Sequence, residues 1–140
     1  MTNFKIIAKY IKDIEFKIPN NKTFFMLSKD ISKYKINIDI TSNKFKEKFI
    51  EVEIMLSLSS ASIEQEKIKT QIIFSAIVEL NPNIKDKKEL EKIILIHVPK
   101  EVYPEIRKTF IFFFEMSGFK DIKIEEKVDF QKLYLQKKSQ

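Results

Sequence analysis

The stretch that decides the fold runs from Pro99 to Gly118 and reads PKEVYPEIRKTFIFFFEMSG. Pro99 suits the first turn of a helix, where its missing N–H has no helical partner to lose. Gly118 stands where a residue in the left-handed conformation commonly ends a helix. The apolar side chains between them recur at helical spacing and extend around most of the circumference. They are Val102, Tyr103, Ile106, Phe110, Ile111, Phe112, Phe113, Phe114 and Met116.

A helix that is apolar on nearly all sides must be covered on two of them. A sheet of the same chain can cover one side, but 140 residues provide too few elements to cover the other. The sequence therefore predicts that a second copy of the protein packs against this helix. The residues predicted to lie at that interface are Tyr103, Ile106, Phe110, Phe113 and Phe114.

The first half of the chain predicts β-strands, because apolar and polar residues alternate with a period of two. In the first strand the even positions from Phe4 to Ile18 are predicted to face the core, with a bend near Lys12. The segment from Lys22 to Lys35 lacks this period and is predicted to be irregular, with an exposed apolar cluster at Phe24–Leu27. Strands are predicted at 4–18, 35–42, 47–59 and 65–80, with turns at 42–44 and near 61–62.

The second half predicts helices at 86–97, 99–117 and 129–137, the last of them capped by Asp129. The short turns expected between the four strands favour an antiparallel meander. The predicted fold class is therefore α+β, with one domain over residues 1–140. Its four-stranded antiparallel sheet carries the helices on one face.

Few residues of this chain suit enzyme chemistry. There is no cysteine and only one histidine, His97, so thiolate nucleophiles, catalytic triads and histidine-rich metal sites are disfavoured. Gly118 is the only glycine, which excludes a glycine-rich loop that cradles a phosphate. Asp39 and Glu51 could pair across strands, but their alternation with other residues is typical of a solvated face. We predict a protein that is not an enzyme and uses no cofactor or metal.

The net charge of +6 comes from lysines spread along the chain, with Arg107 as the only arginine. Nucleic-acid-binding domains more often gather basic residues on one stripe. A basic nucleic-acid-binding domain is therefore the weakest of the hypotheses considered, and no nucleic-acid partner is predicted. Residues 1–10 do not resemble a signal peptide, and no run approaches the roughly 18 apolar residues of a membrane span. A cytoplasmic protein without stable membrane insertion is predicted.

Four stretches of the chain resemble the SecB family of protein-export chaperones. Residues 10–20 resemble the family's first strand and the Pro-Asn that follows it, and residues 36–40 resemble its second strand. Pro99, Pro104 and Arg107 match the Pro-x4-Pro-x2-Arg pattern that opens its long helix. Residues 117–119 and the segment VDFQKLY at 128–134 resemble its closing motif.

The resemblance implies a chaperone that holds unfolded proteins without ATP, often preproteins kept competent for Sec translocation. It also implies a homotetramer, built as a dimer of dimers with the long helix between the dimers. The groove that binds client proteins would be lined by Ile31, Ile38, Ile40, Phe130, Leu133 and Tyr134.

The resemblance further implies contact with the SecA motor through acidic residues on the outer face of the sheet. Asp13 matches one of these acids, whereas Lys17 and Gln71 stand where glutamates are expected. The loss of two acids weakens attraction to a basic partner segment. An alternative hypothesis is therefore a SecB-like chaperone dedicated to one partner, such as the antitoxin of a toxin–antitoxin system.

Overall fold

Four strands form one sheet in the structure, a computed structural model that describes residues 3–31, 34–59, 69–120 and 122–138. They are β1 (Phe4–Lys17), β2 (Lys35–Lys46), β3 (Phe49–Ser59) and β4 (Lys69–Leu80), and every neighbouring pair is antiparallel. The order across the sheet is β1-β4-β3-β2. The predicted antiparallel sheet is confirmed, and β2, β3 and β4 follow one another as a meander. The first strand differs from the predicted meander, because β1 pairs with β4 and not with β2.

Helix α1 (Asn21–Asp30) lies between β1 and β2 and gives the chain the length to cross to the other edge of the sheet. The prediction that this segment is irregular is wrong. The side chain of Asn20 caps the helix, since its Oδ1 accepts a hydrogen bond from the Thr23 N–H at 2.8 Å.

One face of α1 packs into the core. Phe24, Leu27 and Ile31 follow the i, i+3, i+7 spacing of a helix face, and Leu27 and Ile31 are buried. The prediction of an exposed apolar cluster is therefore wrong for Leu27. It is right for Phe25 and Met26, which point to the surface.

The β2–β3 hairpin turns at residues 47–48, later than the predicted turn at 42–44. β2 stays paired with β3 as far as Lys46, although both of its faces are exposed beyond Ile40. Because the apolar alternation ends before the backbone pairing does, the sequence pattern places the turn too early. The predicted turn near 61–62 and the predicted beginning of the fourth strand at 65–68 lie outside the described residues.

Two β-bulges in β1 change which of its side chains face the helices. The register of β1 with β4 skips Ile7 and Lys12. Between these bulges, Lys9 and Ile11 lie opposite buried residues of β4, whereas Tyr10 faces outward. The prediction that even positions face the core is therefore wrong for the middle of β1, while the predicted bend coincides with the second bulge.

The core lies between the inner face of the sheet and the helices. Its sheet residues in β3 and β4 alternate with outward-facing residues, as a half-covered antiparallel sheet requires. They are Ile50, Val52, Ile54, Leu56, Ile72, Phe74, Ala76 and Val78. The described helices lie on this face, as predicted, and the opposite face of the sheet carries polar and charged side chains together with the half-buried Met55, Ile73 and Ile77.

The chain is helical without a break from Lys87 to Met116. Helix α2 (Lys87–Lys92) leads into a π-helical turn (Ile93–His97), and α3 (Val98–Met116) continues from it. In the π turn the Val98 N–H bonds the Ile93 carbonyl. The predicted boundary before Pro99 is therefore a change of helix type, not a break. Proline has no N–H and its ring clashes with the carbonyl four residues back, and the wider turn before Pro99 relieves that clash.

Gly118 ends α3 in a Schellman motif, as the sequence predicts. Its φ is 95°, in the left-handed region. The Phe119 N–H bonds the Phe114 carbonyl at 3.0 Å, and the Gly118 N–H bonds the Glu115 carbonyl at 3.1 Å. The rings of Phe114 and Phe119 also meet, with 5.8 Å between their centroids. This motif fixes where the chain leaves the helix.

Replacing Gly118 by alanine is expected to lower the free energy of unfolding by about 1–2 kcal/mol or more, because an L-residue is strained at this φ. The new Cβ would also lie 3.0 Å from the ring of Phe24. Urea unfolding followed by circular dichroism measures the change. The matched control is Ser117→Ala at the preceding residue, which keeps a negative φ. Equal stability of Gly118→Ala and the wild type would contradict the strain.

An extended linker connects α3 to α4 (Phe130–Lys138). The Tyr103 hydroxyl donates to the Glu125 carbonyl at 2.6 Å, and Arg107 Nε donates to the Ile124 carbonyl at 3.1 Å. These bonds hold the linker against α3. Asp129 caps α4 as predicted, because its Oδ1 accepts the Lys132 N–H at 3.0 Å.

Candidate polypeptide-binding surface

The edge strand β2 carries an apolar stripe on the inner face of the sheet, the face that the helices cover. Ile36, Ile38 and Ile40 point toward the helices and are half-buried. Among the described strands β2 pairs only with β3, so the backbone groups along its other edge have no strand partner. A free edge beside an apolar stripe is the arrangement to which an extended peptide can add.

Helix α4 lies on the other side of the π-helical turn, which packs against both β2 and α4. Phe130 of α4 is buried against Tyr103, with ring centroids 5.9 Å apart in an edge-to-face arrangement. The Tyr134 hydroxyl donates to a carboxylate oxygen of Glu91 at 3.0 Å. The π-helical turn thus forms the floor of a groove whose walls are the edge of β2 and helix α4.

The structure divides the six predicted groove residues into two groups. Ile38 and Ile40 are half-buried and Leu133 is 42% exposed, so these three side chains can be touched from outside. The other three, Ile31, Phe130 and Tyr134, are less than 10% exposed and belong to the core that supports the groove. Contact of any of the six with a client protein stays a prediction.

A cavity of about 380 Å³ opens beside α4 and is lined by Glu91, Leu95, Tyr134 and Lys137. Within the described ranges, no three histidine, cysteine or acidic side chains lie close enough to hold a metal ion. The ring of His97 stacks on Phe4 with 6.3 Å between centroids. Glu91 and Lys137 give the lining of the cavity both signs of charge, beside the apolar Leu95 and the ring of Tyr134.

The outer face of the sheet holds a hydrogen-bonded network around Glu51. The carboxylate of Glu51 accepts from Ser75 Oγ at 2.5 Å and from the Tyr10 hydroxyl, and Lys12 Nζ lies 3.5 Å away. The bond from Ser75, followed by the bond from Tyr10, lowers the pKa of Glu51. Asp39 lies opposite Met55, so the pairing with Glu51 considered from the sequence does not occur.

A neighbouring set of bonds joins Lys12, Glu53 and Thr41. Lys12 Nζ donates to the carboxylate of Glu53, and this bond raises the pKa of Lys12. Thr41 Oγ1 lies 3.3 Å from the other carboxylate oxygen of Glu53. Two acids of the outer face are therefore occupied by donors of the same chain.

Glu51→Gln is expected to lower the free energy of unfolding at pH 7 by about 1–3 kcal/mol, because buried Ser75 loses its charged acceptor. The folded pKa of Glu51 lies below its ordinary value of 4.5. Its contribution is thus present above pH 4.5 and lost as the pH falls through the folded pKa. The difference between wild type and variant should shrink in urea titrations from pH 7 to pH 3. A difference that grows toward acid pH would contradict this sign.

A model of the SecB family, described as preprotein translocase subunit SecB, matches residues 1–140. A Pelagibacter ubique protein provisionally named protein-export protein SecB is 40% identical over 96% of both chains. The chain belongs to the SecB family. A second relative, protein-export protein SecB 1 of Gluconobacter oxydans, is 23% identical over 96% of this chain and 82% of its own. The resemblance seen in the sequence is confirmed, and it supports the predicted chaperone role in protein export.

The SecB-like fold is confirmed by a solved structure. A SecB-like chaperone of Mycobacterium tuberculosis, in complex with an antitoxin peptide, superposes with a TM-score of 0.62. The match covers 88% of this chain and 90% of that chain at 13% identity. At so low an identity the match shows a shared fold and nothing more. SecB proteins are chaperones and not enzymes. No helix among the described residues is both long and apolar enough to cross a bilayer.

The predicted SecA contact and the two positions where glutamates were expected share the outer face of the sheet. Asp13, Lys17 and Gln71 all point away from the helices. Lys17 lies opposite Lys69, whose Nζ is 3.9 Å from a carboxylate oxygen of Glu15. The face thus mixes both signs of charge, and contact of Asp13 with SecA stays a prediction.

Four of the five interface residues predicted on the long helix are buried within this chain, and contact of the five with a second copy stays a prediction. Tyr103, Ile106, Phe110 and Phe114 are less than 4% exposed within this chain, and Phe113 is half-buried. The chain itself covers them, because the sheet packs on α3 and Tyr103 contacts both the linker and Phe130 of α4. The exposed apolar residues of α3 are instead Phe112 and Met116, at 53% and 71%.

A second exposed surface, which was not identified from the sequence, lies at the tip of the β2–β3 hairpin and is made of aromatic and lysine side chains. Phe45 is 50% exposed there and stacks on Phe49, with 6.1 Å between ring centroids. Lysines alternate with these residues through Lys44, Lys46 and Lys48. Alternation of lysine with an aromatic residue is the signal that could have identified this tip.

Proposed function

We propose that this SecB family member is a holding chaperone, which binds unfolded preproteins in the cytoplasm without ATP and keeps them competent for Sec translocation. The observation that carries the proposal is the free edge of β2 beside the stripe Ile36, Ile38 and Ile40. An extended client segment can pair with that edge through its backbone, while its alternate side chains meet the stripe. Backbone pairing is independent of sequence, which suits a chaperone with many clients.

The proposal includes no catalytic step and no nucleotide. Gly118 is the only glycine and sits at a helix end, so it builds no phosphate loop. Binding by apolar burial and backbone pairing needs no chemical energy, and release can follow from competition.

The test is suppression of aggregation of a chemically unfolded preprotein after dilution from urea, followed by light scattering without nucleotide. Suppression at a few-fold molar excess is expected, and addition of ATP should leave it unchanged. Scattering equal to that of a control with serum albumin would contradict the proposal. A second assay mixes the chaperone with the same preprotein in its folded state, where no complex is expected on gel filtration.

We infer that the protein assembles as a homotetramer through surfaces that one chain leaves uncovered. The middle of the edge strand β1 exposes Ile7, Tyr10 and Ile11 by 43–47%, and α3 exposes Phe112 and Met116. An exposed apolar edge strand is an aggregation hazard that a specific partner removes. A second copy can supply that cover on β1, and another can cover the outer side of α3.

Light scattering is expected to give a mass four times the 16.7 kDa of one chain. Phe112→Glu should lower this mass, because the new carboxylate would be buried without a partner between chains. The control is Leu135→Glu on α4, where a 58% exposed apolar residue lies outside the proposed interface. A monomeric wild type, or equal masses for both variants, would contradict the assembly.

Two features of the outer face of the sheet bear on the export partner. Glu51 and Glu53 are bonded within the chain, and Lys17 and Gln71 stand at the two positions where acids were expected. A chaperone dedicated to an antitoxin is the second candidate, favoured by this neutralised face and by the fold shared with the Mycobacterium tuberculosis chaperone. Co-purification with SecA would favour export. Co-purification with an antitoxin, without SecA, would favour the second candidate.

A further inference from the structure

A larger cavity lies at the end of the sheet where the β2–β3 hairpin, the end of β4 and helix α2 meet. Its volume is about 850 Å³, within the range of ligand-binding clefts. The floor is apolar and consists of Ile50, Leu80, Ile84, Leu90 and Ile94. This cavity is separate from the one beside α4, with which it shares no residue.

The rim of this cavity is basic. Lys44, Lys46 and Lys48 line it, and Glu47 is the one acid among its lining residues. Lys48 is partly neutralised, since its Nζ lies 3.3 Å from a carboxylate oxygen of Glu79. Lys44 and Lys46 are exposed and make no ion pair within the described part of the chain. Two uncompensated cations therefore border an apolar floor.

The cavity continues the apolar stripe of β2. The stripe residues and two cavity residues, Ser42 and Lys44, recur at every second position of one strand. Side chains at every second position share one face of the sheet. A chain lying along the edge of β2 would therefore pass from the stripe into the cavity and reach Lys44, and Lys46, which follows a shift of the strand register, also lines the cavity. This continuity favours an extended polypeptide over a separate small molecule as the occupant.

We propose that this cavity binds client segments in which apolar residues are accompanied by aspartate or glutamate, so that the chaperone prefers acidic apolar segments to basic ones. The apolar side chains would enter the floor, and the carboxylates would meet Lys44 and Lys46 at the rim. The inference rests on the proposed holding function and adds to it the charge of the preferred client. Exposed ion pairs are individually weak, at about 0.2–1 kcal/mol, so the preference comes from two or three lysines together.

Three fluorescein-labelled peptides test the preference by fluorescence anisotropy. They alternate leucine with glutamate, glutamine or lysine. The glutamate peptide is expected to bind the wild-type protein about tenfold more tightly than the lysine peptide at low salt, with the difference falling as salt is added. In Lys44→Glu with Lys46→Glu this order should reverse. The matched control is Lys120→Glu with Lys127→Glu, which changes the net charge equally on the exposed linker and should keep the wild-type order.

The outcomes distinguish a failure of the charge preference from a failure of the proposed holding function. Equal binding of the three peptides, or the same loss in the linker variant as in the rim variant, would overturn the charge preference but leave the chaperone intact. Binding of none of the peptides, without aggregation suppression, would overturn both. Dodecanoate, a fatty acid anion, serves as a competitor that tests for a small molecule as the occupant of the cavity. If it saturates the cavity without displacing the glutamate peptide, the peptide binds elsewhere, and the polypeptide is overturned as occupant.

Discussion

Replacing Phe114 by alanine is expected to lower the free energy of unfolding by about 3–5 kcal/mol, the range measured when a buried aromatic ring is removed. Phe114 is fully buried on α3. Its ring meets Phe16 of β1 at 4.8 Å and Phe110 at 5.0 Å between centroids, both edge to face. The same ring closes the helix end against Phe119. One substitution therefore weakens the sheet–helix contact and the end of α3 together.

Urea unfolding at fixed protein concentration measures this effect, since assembly makes apparent stability depend on concentration. Phe25→Ala is the control, because that ring is 64% exposed on α1 and surface truncations usually stay within about 0.5 kcal/mol. If Phe114→Ala unfolds at the same urea concentration as Phe25→Ala, Phe114 is not the centre of the core. Phe114→Leu should recover part of the loss by refilling some of the volume.

The long helix and its end could be predicted because their signals are local. Periodic apolar residues extend over all of α3, and Gly118, the one glycine of the sequence, is the only residue with a positive φ in the described part of the chain. Periodicity does not say which partner covers each apolar side chain. The pattern predicts an interface between chains for Tyr103, Ile106, Phe110 and Phe114, and only the structure shows that the same chain buries them.

The position of β1 and the length of β2 could not be predicted because they depend on distant contacts. Alternation fixes the faces of a strand but not its neighbour, so nothing local indicates that β1 pairs with β4. Each bulge in β1 shifts the alternation by one residue, which a period-two pattern cannot show. β2 stays paired with β3 as far as Lys46, beyond the end of its apolar alternation at Ile40. Helix α1 could have been predicted from the sequence, because Asn20 and the spacing of Phe24, Leu27 and Ile31 indicate a capped amphipathic helix.

The shape of the groove could be predicted least from the sequence, because it depends on how distant elements pack together. Its floor is the π-helical turn, which no periodicity identifies, and its walls come from β2 and α4, which are far apart in the chain. Of the predicted groove residues, Ile38 offers the sharpest test. It faces inward opposite the buried Leu56, while its neighbour Asn37 faces outward on the same strand.

Ile38→Glu is expected to weaken client binding about tenfold, or by about 1.4 kcal/mol, because a carboxylate replaces apolar surface that the client would bury. The measurement is the anisotropy of the labelled leucine–glutamine peptide, with aggregation suppression as a second readout. Asn37→Glu is the matched control, since it adds the same side chain one residue away on the opposite face. Its affinity should stay within a factor of about two of the wild type, because an exposed charge on that face changes little.

Loss of fold must be separated from loss of binding, because Ile38 also touches the core. Ile38→Thr keeps a β-branched residue that suits a strand and removes only part of the apolar surface. It should weaken binding less than Ile38→Glu while melting close to the wild type. Equal affinities for Ile38→Glu and Asn37→Glu, with both variants folded, would mean that clients do not use the inner edge of β2. Binding would then have to be sought on the outer face, where Glu51 and Glu53 are already bonded within the chain.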